Sequence, residues 1–261
     1  RNSTPIKHKS EDALNIMRHD MAHILAEAVI SLFPNAKPTI GPFIKNGFYY
    51  DFDMESTLSD DDLENIEKKM KEILLEGRDF LKKAVSKKEA LEIFKDNKYK
   101  LELINNLDNS DEITLYEQKN FTDLCKGPHH KSTKDYNASF KITSVSGAYW
   151  RGISTNKMLQ RIYATAWYSE KELRVYLKNL EEAKERNHRR LGTDMGLFLL
   201  TDLSAGNVFW KDKGLTLYQN IEKYIRSEQQ KLNYFEVKTP ELVSNELWIK
   251  SGHWDNFKEN M

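Results

Sequence analysis

The sequence has few of the residues that end helices and only one residue that could form a covalent cross-link. Its 261 residues include eleven glycines, six prolines and one cysteine, Cys125. A single cysteine cannot form an internal disulfide, which excludes a disulfide-stapled secreted scaffold. There is no run of about 18 apolar residues, so no transmembrane helix is expected, and residues 1–12 lack the apolar core of a signal peptide. We therefore expect a protein of a reducing compartment, namely the cytoplasm or, for a eukaryotic source, the mitochondrial matrix.

The scarcity of glycine and proline predicts long helices, and capping residues indicate where they begin. Ser10 precedes an apolar-rich stretch that runs to Phe33, and Ser59 and Ser86 open two further helices. Asn-Gly at 46–47 lies between apolar runs and predicts a strand-turn-strand unit within residues 39–52. Between Tyr99 and Tyr163 the pattern is typical of strands, which are predicted at Lys100–Ile104, Ile113–Glu117, Phe121–Leu124, Phe140–Val145, Ala148–Arg151 and Leu159–Tyr163.

The pattern changes after this β-rich stretch. Ser169 and Glu172 form a capping signal that opens a charged helix, Glu170–Arg190. Further elements are predicted as a turn at 211–214, a helix at Leu217–Leu232 and a strand at Tyr234–Lys238. These patterns predict an α+β fold of mixed helices and antiparallel sheet. The expected organisation is a tail at 1–9, a domain at 10–168, a linker helix at 169–191 and the beginning of a second domain at 192–261.

The charges are balanced overall but unevenly spread. Forty basic side chains match forty acidic ones, so the formal net charge is zero. Acidic residues are in excess in 51–78 and basic residues in 119–190. A basic half next to an acidic half can still bind a polyanion, so the zero net charge does not exclude a nucleic acid as partner.

Two short motifs supply residues that bind metals or activate water. His19 and His23 are four residues apart and so lie on one face of the first helix. Cys125 and His129 are also four apart, but Gly127-Pro128 between them predicts a turn. These are the ligand types of a four-coordinate zinc site and also suit ester hydrolysis by activated water. A single pair of this kind is more often part of ordinary packing than a site. For the two pairs together, the residue types support one shared site and buried structural residues equally.

Several motifs in order resemble the editing domain of bacterial-type threonyl-tRNA synthetases, to which an editing domain of alanyl-tRNA synthetases is related. They are HDMAH at 19–23, GP at 41–42, NGFYYD at 46–51, DLCKGPH at 123–129, GAYWRG at 147–152 and MLQRIY at 158–163, with Trp167 after them. Downstream, VFW at 208–210, EVKTP at 236–240 and SGHW at 251–254 resemble the start of a class II catalytic domain. The resemblance implies an enzyme that attaches threonine to tRNA(Thr) with ATP, and an editing region that hydrolyses mischarged seryl-tRNA(Thr).

The resemblance also implies roles for single residues. His19 and Lys100 would position or activate the attacking water, and His23 would complete the cluster. Cys125 and His129 would line the amino-acid pocket. Asp123 would hold the substrate ammonium, while Gly41 and Tyr50 would contact the terminal adenosine or the aminoacyl group. On the alternative interpretation Asp123 caps a turn, Tyr50 is hairpin core and Lys100 is a solvated strand edge.

Metal, ATP and partners follow from the same resemblance. A zinc ion in the editing site stays undecided; if one is present, its ligands are His19, His23, Cys125 and His129. The family's zinc and its ATP-binding motifs are expected beyond Met261, so this region would not activate threonine alone. The helix at Leu217–Leu232 and the strand after it match the class II motif that forms a homodimer interface. Contacts to the tRNA acceptor arm are expected in the basic stretch, from Lys126, Lys131, Arg151, Arg161 and Arg186.

Two other functions fit the same residues. One is a non-catalytic RNA-binding or structural relative that kept the fold. The other is a domain that a zinc ion stabilises and that hydrolyses nothing. The first has no reason to retain all four of His19, His23, Cys125 and His129, and metal analysis would separate the second from an editing enzyme.

Overall fold

The computed structural model describes residues 10–108, 113–204, 206–241 and 243–258. The chain divides into two compact units, Arg1–Glu181 and Glu182–Met261, and each is described here by itself. The tail predicted at 1–9 lies outside the described residues. Helices and antiparallel strands are mixed along the chain, which confirms the α+β fold class.

The first unit contains five helices and eight strands among its described residues. The helices are α1 (Glu11–Leu32), α2 (Asp60–Glu76), α3 (Lys87–Ile93), α4 (Lys98–Asn105) and α5 (Glu170–Glu185), the last of which extends into the second unit. The strands are β1 (Lys37–Pro38), β2 (Phe43–Ile44), β3 (Gly47–Asp53), β4 (Leu81–Val85), β5 (Ile113–Gln118), β6 (Phe121–Leu124), β7 (Ser139–Tyr149) and β8 (Met158–Trp167).

Helix α1 lies in the core of the first unit. The Ser10 hydroxyl accepts a hydrogen bond from Ala13 N and caps the helix as predicted. Nearly every side chain from Met17 to Val29 is buried, so the helix is enclosed on all sides. Phe48, Tyr50 and Phe52 of β3 belong to the same buried cluster, as the period of two along a strand requires. Polar side chains in the middle of α1 are therefore held within a packed core.

Two antiparallel sheets flank this helix. The larger has the order β1-β3-β8-β7, with β2 also paired to β3. The hairpin predicted around Asn46 is confirmed: Ile44 pairs with Gly47, and Asn46 takes a positive φ of 68°. The smaller sheet has the order β4-β5-β6, and it ends at Leu124, directly before Cys125. The two predicted strands at 140–151 form the single strand β7, which has one bulge between Ile142 and Ser144.

The strand predicted at Lys100–Ile104 is wrong, because these residues belong to α4. The Asn97 side chain accepts hydrogen bonds from the N–H groups of Tyr99 and Lys100 and so caps the helix. Lys100 and Ile104, four residues apart, are both buried. The solvated strand edge considered for Lys100 is thus also wrong, since this lysine is 1% exposed.

The chain after β8 departs from the sequence predictions in three places. The single helix predicted at Glu170–Arg190 is two helices, because α5 ends at Glu185 and α6 (His188–Asp194) has its own N-cap, Asn187. The turn predicted at 211–214 is the first turn of α7 (Asp212–Lys231). Residues 234–238 form no strand, because no strand of the described residues pairs with them. The remaining elements are β9 (Phe198–Leu199), β10 (Phe209–Trp210), α8 (Asn245–Lys250) and α9 (His253–Phe257).

Within the ranges that the structure describes, no helix has the length and apolarity needed to cross a membrane.

Candidate active site

Four predicted residues meet in the first unit and form what we call the His–Cys cluster: His19, His23, Cys125 and His129. His19 and His23 come from successive turns of α1, and the other two lie in the loop that follows β6. One ligand atom from each side chain lies within 4.8 Å of the others. Cys125 Sγ is 3.4 Å from His19 Nε2 and 3.3 Å from His129 Nε2. The two pairs of residues thus meet in the fold although more than 100 positions of sequence separate them.

The loop after β6 is shaped to bring backbone groups to this cluster. Gly127 has a φ of 74°, and any side chain there would collide with the ring of Tyr116. The Gly127 N–H donates to Cys125 Sγ over 3.2 Å. The Pro128 carbonyl lies 3.3 Å from His19 Nδ1. Because a carbonyl can only accept, His19 carries its hydrogen on Nδ1 and turns the lone pair of Nε2 towards the sulfur.

Burial keeps His19, His23 and Cys125 uncharged near neutral pH. Desolvation, helped by the neighbouring His129, lowers the pKa of His19 to about 4. The same two causes, together with His19 and Lys100, lower the pKa of His23 well below its usual value. Desolvation also raises the pKa of the Cys125 thiol to about 12. Without a bound cation, His19 and His23 are therefore neutral imidazoles and Cys125 is a thiol, which Nε2 of His19 and Nε2 of His129 both face.

Next to it lies a second group, the Lys–Asp–Tyr cluster, formed by Lys100, Asp123 and Tyr50. Tyr50 OH donates to Asp123 Oδ2 over 2.6 Å, and Lys100 Nζ donates to Asp123 Oδ1. Lys100 Nζ is also 3.4 Å from Tyr50 OH, and Leu124 N donates to Asp123 Oδ1. All three side chains are almost fully buried. Gly41 contacts the Tyr50 ring so closely that a side chain at 41 would overlap it.

The two clusters are joined through His23. Its Nε2 lies 3.8 Å from Asp123 Oδ2, while its Nδ1 is buried and has no hydrogen-bond partner among the described residues. Tyr50 is fully buried, which agrees with its alternative interpretation as a core residue. Its hydroxyl nevertheless donates a hydrogen bond to Asp123. All eight predicted catalytic and substrate-binding residues therefore lie in one connected region, although the structure assigns none of them a role.

The predicted tRNA-contact residues divide into two kinds. Lys126 and Lys131 are exposed in the loop that carries Cys125 and His129, and they make no ion pair within the described ranges. The three arginines have acidic partners: Arg151 Nε is 2.8 Å from Glu102, Arg161 binds both oxygens of Asp51, and Arg186 is 3.4 Å from Glu182. Arg161 also lies 3.9 Å above the ring of Tyr49.

Sequence reasoning assigned no role to two residues that contact the cluster, Asp20 and His130. Asp20 Oδ1 lies 2.7 Å from His129 Nδ1, and Asp20 Oδ2 lies 2.6 Å from His130 Nδ1. The available signals were the consecutive histidines at 129–130 and an aspartate inside the HDMAH motif. A sequence pattern alone could not pair them, because 109 and 110 positions separate Asp20 from its partners.

The residues of the His–Cys cluster suit a zinc ion. Three imidazoles and one thiolate form a standard four-coordinate set for this metal. The buried Nδ1 of His23 has no partner in the described part of the chain, and a ring nitrogen in that condition is costly unless something occupies it. The carboxylate of Asp20 behind His129 is the outer partner that zinc-binding histidines commonly have.

Comparisons with known proteins agree with this region of the fold. Residues 113–163, which run from β5 into β8, match the family described as the threonyl and alanyl tRNA synthetase second additional domain. The chain is 52% identical over 258 residues to a threonine–tRNA ligase of Wolbachia sp. subsp. Brugia malayi, which covers 98% of this chain and 41% of the ligase. Identity to the ligase of Ehrlichia chaffeensis is 51% over 254 residues, covering 97% of this chain and 40% of the ligase. The chain thus spans about two fifths of the length of the curated relatives it matches.

Proposed function

We propose that residues 10–168 form an editing domain that hydrolyses the ester bond of seryl-tRNA(Thr), in a chain that is 52% identical to a threonine–tRNA ligase along 98% of its own length. The observation that carries the proposal is the His–Cys cluster, in which the neutral imidazoles of His19 and His23 lie beside a carboxylate–ammonium pair. A pocket can distinguish threonine from serine by only about 1–3 kcal/mol, the worth of one methyl-sized group. A synthetase for threonine therefore benefits from a second site that removes serine.

In this mechanism His19 accepts the proton of the attacking water. Its Nε2 lone pair is free near neutral pH because its pKa is lowered to about 4. Water adds to the ester carbonyl carbon as its proton passes to Nε2; the imidazolium then returns the proton to the leaving ribose oxygen. The products are serine and tRNA with a free terminal hydroxyl. Cys125 is a protonated thiol with a pKa of about 12, which favours direct attack by water over a thioester intermediate.

The Lys–Asp–Tyr cluster would bind the amino-acid part. Asp123 is proposed to receive the substrate ammonium, with Tyr50 and Gly41 against the terminal adenosine or the aminoacyl group. Both Asp123 oxygens already accept from donors of the chain, including Lys100. A carboxylate oxygen can accept two hydrogen bonds, and Oδ2 accepts only that of Tyr50 among the described residues, so the substrate ammonium would bind at Oδ2 while Lys100 on Oδ1 holds the carboxylate in position.

If the cluster binds zinc, the ligands would be His19, His23, Cys125 and His129. Zinc would supply a polarised ester carbonyl and a bound water of lowered pKa only if one of these four residues left its coordination position open; with all four bound, the ion would be a closed structural site. In that case Lys100 and Asp123 keep the positioning roles given above.

For the whole protein we propose the ligase reaction itself, attachment of threonine to tRNA(Thr) with ATP, in the cytoplasm. Residues 192–261 would begin the class II catalytic domain and contribute to a homodimer. The support is the likeness to ligases over 97–98% of the chain and the exposed apolar side chains of α7, namely Leu217, Ile221 and Ile225. Zinc and ATP of the ligase site would bind residues beyond Met261. Lys126 and Lys131 are the first proposed contacts to tRNA; Arg151, Arg161 and Arg186 would contact it only where the tRNA displaces their acidic partners.

Deacylation of labelled seryl-tRNA(Thr) tests the editing proposal. We expect hydrolysis by the wild type, little hydrolysis of threonyl-tRNA(Thr), and at least a ~100-fold slower reaction in His19→Ala, the lower range for loss of a general base. His253→Ala is the matched control, because this histidine is exposed in α9. If wild type and His19→Ala are equally inert while both bind the tRNA, the editing proposal is wrong and a non-catalytic RNA-binding relative is favoured.

A further inference from the structure

The carboxylate of Asp20 lies behind the His–Cys cluster and contacts two histidines at once. The residue is fully buried in the middle of α1. Its Oδ1 is 2.7 Å from His129 Nδ1 and its Oδ2 is 2.6 Å from His130 Nδ1, and the His130 N–H lies 3.4 Å from Oδ1. The nearby hydroxyl of Tyr136 is also buried, and desolvation together with the Asp20 charge raises its pKa well above the usual value.

A buried carboxylate needs hydrogen-bond donors, because an ionised group without them is expensive to remove from water. A carboxylate carries no hydrogen of its own, so each imidazole nitrogen that faces it must be the donor. Asp20 thus requires a hydrogen on Nδ1 of His129 and on Nδ1 of His130. For a neutral imidazole, the remaining nitrogen, Nε2, then carries the lone pair.

Stacking alone does not select this orientation of His129. Its ring lies between those of His19, at 4.3 Å between centroids, and Phe80, at 5.0 Å and nearly parallel. These contacts fix the plane of the ring, but a half-turn about the Cβ–Cγ bond exchanges nitrogen and carbon positions and keeps the same stacking. The hydrogen bond to Asp20 selects the half-turn that directs Nε2 to Cys125 Sγ, 3.3 Å away.

We propose that Asp20 is a positioning residue: it holds His129 in the Nδ1–H tautomer with the Nε2 lone pair directed at Cys125, and it links His130 to the site in the same way. His129 then acts at Nε2 as an acceptor, from the thiol or from a water, and never as a donor. The effect of Asp20 on catalysis rests on the proposed editing function, whereas the effect of Asp20 on the tautomer of His129 does not.

Nitrogen-15 NMR of the histidine-labelled protein tests the tautomer directly, before and after treatment with a chelator. Single His→Gln variants assign the signals. In the wild type we expect His129 and His130 to carry their hydrogen on Nδ1 in both conditions. A His129 that carries its hydrogen on Nε2, or on both nitrogens, overturns the proposal without any variant of Asp20.

Asp20→Asn and Asp20→Ala then separate positioning from packing. Asparagine offers one accepting oxygen and one donating nitrogen, so at least one of the two histidines must leave the Nδ1–H tautomer; if both keep it, the proposal fails. In Asp20→Ala we expect kcat for seryl-tRNA(Thr) to fall about 10- to 100-fold, the usual cost of losing such an outer partner, with KM little changed. In both variants the loss of kcat should follow the fraction of His129 that has left the Nδ1–H tautomer, and a loss of kcat without that change contradicts the proposal.

Asp61→Asn is the matched control, because Asp61 is exposed in the first turn of α2. It should leave the histidine signals and the deacylation rate unchanged. A wild type that does not hydrolyse seryl-tRNA(Thr) contradicts the editing function, but the NMR measurements still decide the role of Asp20. The two failures are therefore distinguishable.

Discussion

The Lys–Asp–Tyr cluster and the His–Cys cluster are both built from buried polar side chains, but they differ in how completely their polar atoms are hydrogen-bonded. In the Lys–Asp–Tyr cluster every group has a partner inside the chain: Asp123 accepts from Lys100, from Tyr50 and from a backbone N–H. In the His–Cys cluster, two imidazole nitrogens face one sulfur, and His23 Nδ1 has no partner in the described residues. The first arrangement holds itself together. The second leaves lone pairs that a substrate, a water or a cation can use.

This difference separates stability from chemistry. Breaking the Lys–Asp–Tyr cluster leaves a buried charge without compensation, so the main consequence should be loss of folding free energy. Substitution of His19 or His23 removes an imidazole that burial already keeps neutral, so it should mainly change reactivity, metal affinity or pH dependence. The following predictions test this division, beginning with the largest expected effect.

Lys100→Met should destabilise the first unit by about 3–5 kcal/mol, because it leaves the Asp123 carboxylate buried and unpaired. Urea unfolding followed by circular dichroism measures the effect. The matched control is Lys98→Met, two residues earlier in α4, whose exposed ammonium lies 3.3 Å from Asp53. An exposed pair of this kind is worth about 0–1 kcal/mol.

The double variant Lys100→Met with Asp123→Leu sharpens this result. Replacing both partners of a buried pair by apolar residues is often nearly neutral. The double variant should therefore be more stable than Lys100→Met alone. Equal losses in the Lys100 and Lys98 variants would mean that the buried pair does not hold this half of the site together.

The His–Cys cluster should make the stability of the chelator-treated protein depend on pH between about 4 and 6.5. Histidine in the unfolded chain titrates near 6.5, whereas burial lowers the pKa of His19 in the folded protein to about 4. Within this window the unfolded state holds a proton that the folded state lacks, so the free energy of unfolding falls as the pH falls. His19 alone accounts for up to about 3 kcal/mol, and the lowered pKa of His23 acts in the same direction.

The measurement is a series of urea titrations from pH 4 to pH 8 in the presence of a chelator. The variant His19→Gln should show a shallower decline below pH 6.5, and His253→Gln should follow the wild type. A wild-type curve that is flat across this window would show that the imidazoles of the cluster are not held neutral by burial.

Secondary structure could be predicted wherever the controlling interaction is local. Ser10, Ser59 and Ser86 cap their helices by bonds to the third residue on, so a short window of sequence contains the whole cause. The sequence predicts a strand in place of α4 because Tyr99, Leu101 and Leu103 alternate with polar residues. The burial of α4 depends on a distant partner: Tyr99 stacks edge-on against Trp150, 5.0 Å between ring centroids.

The strand predicted at 234–238 is wrong for a related reason. Its alternating apolar residues fit a strand, but a strand also needs a neighbour, and no strand of the described part of the chain supplies one. Within the site, the cysteine and the histidines could be predicted because these residue types are scarce and chemically distinctive. Asp20 could not, since one aspartate among many gains its meaning only from His129 and His130 across the fold.

Cys125→Ala tests whether the ligand atoms of the His–Cys cluster bind a cation. A cobalt(II) ion bound by the four residues of the wild type should give a thiolate-to-cobalt absorption band. The variant should lose that band and bind at least about 10- to 100-fold more weakly, the cost of losing even an outer partner of a ligand. His253→Ala is the control. If the wild type binds no ion and still hydrolyses seryl-tRNA(Thr), the cluster works with water alone; if loss of zinc unfolds the domain and no hydrolysis occurs, the site is a structural zinc centre.

The smallest effect is expected for tRNA binding, where a basic side chain that has an acidic partner can be compared with one that makes no ion pair within the described ranges. Arg161 is committed to both oxygens of Asp51 and to the ring of Tyr49, whereas Lys126 is exposed beside Cys125 and makes no ion pair within the described ranges. A phosphate contact contributes about one to the slope of log K against log salt concentration. Lys126→Gln should therefore reduce that slope for tRNA(Thr) by about one, and Arg161→Gln should leave it unchanged, because the Arg161 charge is already neutralised. If Arg161→Gln lowers the slope as much as Lys126→Gln, the tRNA displaces Asp51 from Arg161, and internal pairing does not decide which basic side chains contact the tRNA.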